Sequence, residues 1–280
     1  EDEAEEEEEE EERDDLLVGL EGKIKGISSG EDQEVPLSEK ELLIRGGLML
    51  SLPVELLHSI FDFLSVDTYA TLALVTPLWK SVTRTETVYK RLCERCYLNQ
   101  SKKRTLHVSK FGGSYRTMLT LRPRVRIGLY VLRFAKVKPI QRDMWTEIPH
   151  GAILETVYYR YLLFRENGSL LYALTTTNPH EMIPRLRKVY VAQEEDRNVV
   201  WGRFQVRGKS VTVWAKQEWH TVKLQLSIQP SSIRGRFGAL MFDRHFSSVS
   251  GDFDETYSSD LVEYKVPTDG LFQYLKDGRL

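Results

Sequence analysis

The two cysteines of this 280-residue chain, Cys93 and Cys96, are the side chains whose spacing could support metal or redox chemistry. A structural zinc ion usually needs four ligands, but the sole nearby histidine is His107 and no second cysteine pair occurs. A redox pair would begin a helix in a βαβ unit, whereas this pair falls late in a predicted helix. Two cysteines give no disulfide framework, which is typical of a reducing compartment. We therefore interpret both as structural thiols and predict neither a metal nor a cofactor.

The other residues that could take part in catalysis show no productive spacing. The six histidines are scattered along the chain: His58, His107, His150, His180, His220 and His245. No G-x-S-x-G, Walker loop, H-E-x-x-H or dinucleotide fingerprint occurs. We therefore assign no catalytic residue and predict that the chain is not itself an enzyme.

A basic cluster is a candidate for binding a charged target. It comprises Arg185, Arg187 and Lys188. The segment is bracketed by Pro179 and Pro184 and is predicted to be a surface loop between hairpins, where recognition residues are often found. Guanidinium groups can make bidentate contacts with carboxylates or phosphates, which suits an acidic or phosphorylated protein target. The alternative is that the arginines pair with nearby carboxylates such as Glu181 and Glu194, or simply solvate the surface.

The element around which the chain is organised lies upstream, in Leu50–Leu98, where apolar residues recur at helical spacing. In its first part these residues are Leu52, Leu56, Leu57, Ile60, Phe61 and Leu64. Pro53 suits a first helical turn, Asp67 is predicted to cap a second helix, and Pro77 is predicted to open a third. An ordinary helical core is one reading of this pattern. Three short helices cannot bury so much apolar surface among themselves, however, so we predict a partner.

The same stretch resembles the F-box. The residues that fill the pattern of that family are Leu52, Pro53, Glu55, Leu56, Leu57, Ile60, Phe61, Leu64, Leu72, Val75 and Trp79. Thr76 and Tyr89 depart from it, replacing a common cysteine and a late tryptophan, but neither change removes a large apolar group. The resemblance implies docking on the Skp-type adaptor of a cullin–RING ubiquitin ligase. The residues expected to bind the adaptor are Leu52, Pro53, Leu56, Leu57, Ile60, Phe61, Leu64, Leu72, Val75 and Trp79.

Charge is distributed unevenly along the chain. Residues 1–15 hold thirteen of the 41 acidic residues and one of the 39 basic ones, which leaves 38 basic against 28 acidic residues elsewhere, a net +10. A polyacidic run repels itself and buries nothing, so we predict that residues 1–48 are a disordered acidic leader. No apolar run approaches the roughly twenty residues of a membrane helix, and no secretory leader occurs. We expect a soluble protein of the cytoplasm, with the nucleus left open as a second location.

Residues 99–126 are predicted to be a basic helical linker. Its basic residues, which no acidic residue interrupts, are Lys102, Lys103, Arg104, Lys110, Arg116, Arg122, Arg124 and Arg126. Aromatic residues interleave with them, and Ser114 is predicted to cap a short helix that runs through Leu121. Such a segment could contact nucleic acid. No nucleic-acid-binding motif accompanies it, so we favour a linker and do not expect nucleic acid as a partner.

From Ile127 onward the hydrophobic period becomes two, which indicates strands. In Thr221–Gln229 apolar and polar residues alternate, as in a strand with one wet face. Asn167-Gly168 predicts a hairpin turn, because a type I′ turn needs positive φ at both positions. About eight short strands are predicted in this way, which favours an antiparallel β-barrel, lipocalin-like, or a sandwich. We prefer the barrel because closure removes exposed strand edges.

This second half also resembles a known family. The motifs are LRPRVR at Leu121–Arg126, GLY at Gly128–Tyr130, VYYRYLLFRENGSLLYALTT at Val157–Thr176 and PRLR at Pro184–Arg187. They are similar to the C-terminal region of the family of F-box only protein 9. That family carries a helical tetratricopeptide-like region before the F-box, which Glu1–Met49 is too short and too acidic to supply. The predicted organisation is an α+β multidomain chain with a leader (1–48), a three-helix F-box (49–98), a linker (99–126) and an antiparallel β-barrel (127–280).

The leading hypothesis is a substrate-recognition subunit of an SCF-type (Skp–cullin–F-box) ubiquitin ligase. The F-box would dock the adaptor, and the barrel would recruit a protein target for ubiquitination and proteasomal degradation by proximity alone. Ubiquitin transfer by the chain itself would need an activated thiolate, and Cys93 and Cys96 lack a nearby histidine. The alternative is that the barrel binds a small apolar ligand that gates recruitment. Large inward side chains instead favour a packed interior.

Overall fold

The computed structural model describes residues 52–101, 105–139, 153–254, 258–267 and 270–276. The acidic leader predicted for residues 1–48 lies outside these ranges. The chain divides into the units Glu1–Pro53 and Val54–Leu280, and every helix and strand below belongs to the second unit. Within the described ranges, none of the helices has the length and apolar character that a membrane crossing requires.

Four short α-helices and a π-helical turn occupy the region predicted as three helices. They are α1 (Val54–Phe61), α2 (Val66–Leu72), α3 (Pro77–Thr83), α4 (Glu86–Cys93) and the π turn Glu94–Leu98. The predicted third helix is two helices because Thr85 adopts an extended backbone and accepts a hydrogen bond from the Val88 N–H at 3.4 Å. Thr76 caps α3 in the same way. The residue that precedes α2 is Ser65, so the prediction that Asp67 caps this helix is wrong.

The predicted linker contains two short helices that pack against the preceding ones. These are a 3₁₀ turn (Val108–Phe111) and α5 (Tyr115–Leu121). Ser114 caps α5, as predicted, by accepting a hydrogen bond from the Thr117 N–H at 3.4 Å. The Ser114 hydroxyl and the Tyr115 N–H both donate to the carboxylate of Glu86, at 2.8 and 2.9 Å. The start of α5 is therefore bound to the start of α4.

Nine antiparallel strands form the C-terminal half. They are β1 (Gly128–Pro139), β2 (Ile153–Phe164), β3 (Ser169–Thr175), β4 (Val199–Arg207), β5 (Ser210–Lys216), β6 (Thr221–Gln229), β7 (Ala239–Ser248), β8 (Val262–Tyr264) and β9 (Leu271–Leu275). Eight of them close into a ring in the order β6-β5-β4-β3-β2-β1-β9-β7, because β7 also pairs with β6. The remaining strand, β8, pairs with the later part of β7. This ring confirms the predicted antiparallel barrel rather than a sandwich.

Alternating burial along the strands separates the interior of the barrel from its outer surface. Every second residue of β6, beginning at Val222, is buried, while those between are half-buried. The β2–β3 turn places Gly168 at a φ of +82°, a conformation that favours glycine. At Gly202, β4 approaches β5 so closely that a Cβ would lie 2.3 Å from the Trp214 carbonyl oxygen.

Aromatic side chains fill the end of the barrel at which β1 begins. Tyr130 packs edge to face against Phe164, with ring centroids 5.5 Å apart, and Phe164 packs against Phe204 at 4.8 Å. The Tyr130 hydroxyl donates to the Phe237 carbonyl at 2.8 Å, which satisfies its buried polar atom. Each such ring stabilises the fold by about 1.5–3 kcal/mol when it leaves water. This end of the interior is therefore packed.

A helix covers one outer face of the barrel where the sequence predicts a loop. Helix α6 spans Pro179–Arg187 and continues into a π turn, Lys188–Ala192. Asn178 caps it by accepting a hydrogen bond from the Glu181 N–H at 3.1 Å. Its buried apolar residues are Met182, Ile183, Leu186 and, in the π turn, Val189. They pack against outward-facing residues of β2 and β3. The loop prediction is wrong because it treats Pro184 as a boundary, although the helical spacing of buried residues continues across it.

Candidate functional site

Helix α1 carries two apolar stripes, and the first of them is buried. It consists of Leu57 and Phe61. Phe61 packs edge to face against Trp79 of α3, with ring centroids 5.4 Å apart, and against Tyr69 of α2 at 6.4 Å. Leu72 of α2 is buried as well. These contacts hold α1, α2 and α3 together and fix which residues of α1 point away from the core.

The second stripe begins on α1, continues into the turn after it and faces outward. Leu56, Ile60 and Phe63 follow one another at intervals of four and three residues, and they are 51%, 40% and 89% exposed. Leu74 and Val75, which follow α2, are exposed too. Clustered large apolar side chains on a surface are typical of a protein-binding site. We call the residues Leu56, Ile60 and Phe63 the docking stripe.

The structure divides the residues predicted to bind the adaptor into three groups. Pro53, Leu56, Ile60 and Val75 are exposed, Leu52, Leu64 and Trp79 are half-buried, and Leu57, Phe61 and Leu72 are buried. The exposed and half-buried members are accessible to a partner in this conformation, whereas the buried ones are not. Their role in adaptor binding stays a prediction.

Three exposed apolar residues of the same region were missed by the sequence reasoning. They are Val54, Phe63 and Leu74. The signal for Phe63 was its position three residues after Ile60, which continues one face of the helix. The prediction treated the buried and the exposed face of α1 as one set, because the six apolar residues from Leu52 to Leu64 all fit helical spacing.

Polar contacts fix the helices that carry the docking stripe to the barrel. Arg95 donates from Nη1 to the Asp62 carbonyl and pairs through Nη2 with Glu166 in the β2–β3 turn, both at 2.6 Å. The side-chain amide of Gln100 donates to the Val125 carbonyl at 2.9 Å and accepts from the Val125 N–H at 3.1 Å. The Gln100 pair is buried, so breaking it would leave polar groups unsatisfied. Arg95 therefore ties the F-box helices directly to the barrel, and Gln100 ties the start of the linker to Val125, whose side chain packs in the barrel core.

The two cysteines lie inside this region, in α4 and the following π turn, and both are buried as thiols. Cys93 Sγ donates to the Tyr115 carbonyl at 3.4 Å. Burial, reinforced by the adjacent Cys96, raises the pKa of Cys93 to about 12. The thiol is therefore protonated at neutral pH, which suits a structural side chain rather than a nucleophile.

The linker arginines contact aromatic rings and carbonyl groups of the chain itself. The guanidinium of Arg122 lies 4.6 Å from the ring centroid of Tyr97, and that of Arg126 lies 4.0 Å from the ring centroid of Tyr274. Arg126 also donates to the Arg234 carbonyl at 2.9 Å. The Arg122 contact binds the linker to the π turn after α4, and the Arg126 contacts bind it to the barrel.

The basic residues predicted to bind a target lie at the end of α6 in two different environments. Arg185 donates from Nε and Nη2 to the two carboxylate oxygens of Asp196, at 2.8 and 2.7 Å. This bidentate contact lowers the pKa of Asp196. Arg187 and Lys188 are exposed, and they line a groove together with the apolar Val191. The structure thus brings Arg187 and Lys188 to an accessible surface, and it commits Arg185 to an internal ion pair.

Two protein families match the chain. Residues 49–95 match the family described as F-box-like, and residues 104–237 match the family described as F-box only protein C-terminal region. The curated proteins and the solved structures that were compared give no match. The helices and the first of these matches define the class: the chain is an F-box protein. Its two matched regions make it similar to F-box only protein 9, in agreement with the resemblance of its sequence motifs.

An F-box implies a general role for the chain. It implies binding of a Skp-type adaptor and a substrate-receptor role in an SCF ubiquitin ligase. F-box proteins are in general non-catalytic receptors, in which binding rather than chemistry is the contribution of the chain.

Proposed function

We propose that the docking stripe, together with Val75, binds the Skp-type adaptor, and that the barrel recruits a protein target for ubiquitination and proteasomal degradation. The observation that carries this proposal is the double face of α1. Its buried stripe already stabilises the helical core, so its exposed stripe is available to a partner. Full burial of such a side chain contributes about 1.5–3 kcal/mol, so the half-exposed Leu56 and Ile60 would each contribute about 1 kcal/mol and the more exposed Phe63 more.

The mechanism is proximity. The chain would hold a lysine of the target near a ubiquitin thioester that the ligase carries, which raises the effective concentration of the two reacting groups. The Arg95–Glu166 ion pair between the F-box helices and the barrel, with the Gln100–Val125 contact inside the linker, supports a constant spacing between docking stripe and barrel. The complex would act in the cytoplasm or the nucleus.

Replacing Leu56 and Ile60 together by Asp tests the docking stripe. We expect adaptor co-purification to fall at least about 100-fold, because the change removes two apolar contacts and places two unpaired carboxylates in the interface. Thermal unfolding should remain cooperative, since both residues are exposed. The matched control replaces Ile233 and Val249, exposed apolar residues of barrel loops, by Asp and should retain the adaptor. Undiminished co-purification of the first variant would contradict the proposal.

The groove at the end of α6 and in the following π turn is a candidate location for target binding. Arg187 and Lys188 offer two positive charges next to Val191, which suits a target with an acidic or phosphorylated residue beside an apolar one. Arg185 is less suited to this role because its guanidinium already pairs with Asp196.

Charge reversal tests this groove. The change is Arg187→Glu with Lys188→Glu, and the readout is the set of ubiquitinated partners that co-purify with the adaptor-bound chain. We expect these partners to be lost, and their capture by the wild type to weaken as salt rises. The control reverses Arg133 and Lys216, exposed residues of β1 and β5, and should retain capture. If the variant with Arg187→Glu and Lys188→Glu still captured these partners, neither residue would belong to the target-binding site.

A further inference from the structure

One inward-facing residue of the barrel, Arg160 of β2, is charged. It is 6% exposed and stands in register with Leu132 of β1 and Leu174 of β3. Its guanidinium lies over the ring of Phe242, at 5.0 Å from the centroid, and over the ring of Phe134 at 5.7 Å. A positive charge is therefore enclosed by aromatic and aliphatic side chains.

The guanidinium has no counter-charge in the described part of the chain. Arg160 Nη2 lies 3.4 Å from His245 Nδ1, while Nε and Nη1 are buried without a hydrogen-bond partner there. His245 supplies no negative charge. Burial, with Arg160 adding to it, lowers the pKa of His245 to about 3, so its ring is neutral at pH 7. Because a buried charge without a partner is strongly unfavourable, these two N–H-bearing nitrogens point to an anion that pairs with them.

Arg160 lies near the end of the barrel that is rimmed by exposed apolar side chains. We call this the apolar rim, and it comprises Leu174, which is in register with Arg160, together with Trp219, Val249 and Tyr264. Strand pairing brings the ends of β3, β5 and β7 and the start of β6 to this end, and Leu174, the partner of Arg160, lies one residue before the end of β3. Tyr264 links the apolar rim to the pair formed by Arg160 and His245, because its ring stacks on the His245 ring with the centroids 4.8 Å apart. The exposed Lys136 adds a second positive charge here.

We propose that this end of the barrel binds a carboxylate carried on an apolar chain, with the carboxylate paired to Arg160 and the chain lying against the apolar rim. The unpaired guanidinium selects an anion, and the surrounding rings and rim select an apolar body. Tyr130, Phe164 and Phe204 fill the interior at the other end, so the ligand extends toward the rim rather than deeper. This site does not depend on adaptor docking, and either can fail its test without the other.

Isothermal titration calorimetry of the full chain with four probes tests the site. The probes are decanoate, 1-decanol, acetate and N-acetylaspartate amide. We expect decanoate to bind at least about tenfold more tightly than decanol, because only decanoate can accept charged hydrogen bonds. It should also exceed acetate, which lacks the apolar chain. The proposal would be overturned if decanoate did not bind. It would also be overturned if decanol or acetate bound as tightly as decanoate. Binding of N-acetylaspartate amide without decanoate would show a site for an acidic protein side chain and would overturn it too.

The variant Arg160→Met tests whether Arg160 causes the preference for decanoate over decanol. Methionine removes the charge at similar length, so the variant should lose the preference for decanoate over decanol. It should still fold because an unpaired buried charge has been removed, which thermal unfolding checks. Arg133→Met, the same change at an exposed position of neighbouring β1, should retain the preference.

A measurement on the wild type covers the case in which Arg160→Met does not fold. In nuclear magnetic resonance spectra, decanoate but not decanol should shift the resonances of the Arg160 Nε–H group and the His245 ring. Resonances that stay unshifted, or an unchanged preference in a folded Arg160→Met variant, overturn the proposal.

Discussion

The side chain of His245 couples the stability of the barrel to pH. Burial is the largest cause that lowers the pKa of its ring to about 3, and the nearby Arg160, His220 and Lys136 contribute in that order. An ordinary histidine has a pKa of 6.5. The unfolded chain therefore binds a proton at this residue below pH 6.5, while the folded chain resists protonation down to about pH 3. Falling pH consequently favours the unfolded state within that window.

We expect the free energy of unfolding to fall as pH decreases from 6.5, with a slope that approaches about 1.4 kcal/mol per pH unit. Urea unfolding at pH 7, 6 and 5 measures it, since most carboxylates protonate at lower pH. His245→Asn should flatten the slope, and His180→Asn, at an exposed position of α6, should preserve it. Identical slopes in the wild type and His245→Asn would refute this explanation.

At the scale of the element, stability and adaptor binding depend on two residues that are only two positions apart, one at the end of α1 and one in the turn after it. Phe61 is 2% exposed and contacts two aromatic rings, whereas Phe63 is 89% exposed. Phe61→Ala should lower the free energy of unfolding by about 3–5 kcal/mol, because it removes a core ring and leaves a cavity. Phe63→Ala should leave that free energy nearly unchanged and weaken adaptor binding. Chemical unfolding and adaptor titration of both variants measure the two effects, and equal losses of stability would contradict the separation.

The helices also show which local features a sequence can predict. Pro77 and Ser114 mark helix starts as expected, because proline at a first turn and a serine cap act through neighbouring backbone groups. Helix α6 was missed although its buried residues stand at helical spacing. The cost of Pro184 inside it is met by packing against the barrel, and such tertiary packing is not visible in a local pattern.

At the scale of the whole molecule, the barrel was predictable because consecutive strands from β1 to β7 pair with their neighbours in sequence. Strand β9 was missed, because five residues with a short alternating pattern carry little signal. Its place between β1 and β7 depends on pairing across most of the domain. The inward position of Arg160 could have been read from its two-residue spacing from Tyr158 and Leu162. The lack of a hydrogen-bond partner for the Arg160 guanidinium could not have been predicted from the sequence. It depends on which side chains the closed sheet brings together.

The placement of β9 has a consequence for how the protein is made. Leu129 of β1 pairs with Leu275 of β9, so the two edges of the ring meet only after the intervening chain has left the ribosome. At the usual rate of about 5–20 residues per second, translation of that interval takes roughly 7–30 seconds. The F-box helices, with their local contacts, can fold during this time, while β1 keeps an unpaired edge. Nascent chains are therefore exposed to edge-to-edge association until β9 arrives, and chaperones that shield strands would matter most in that interval.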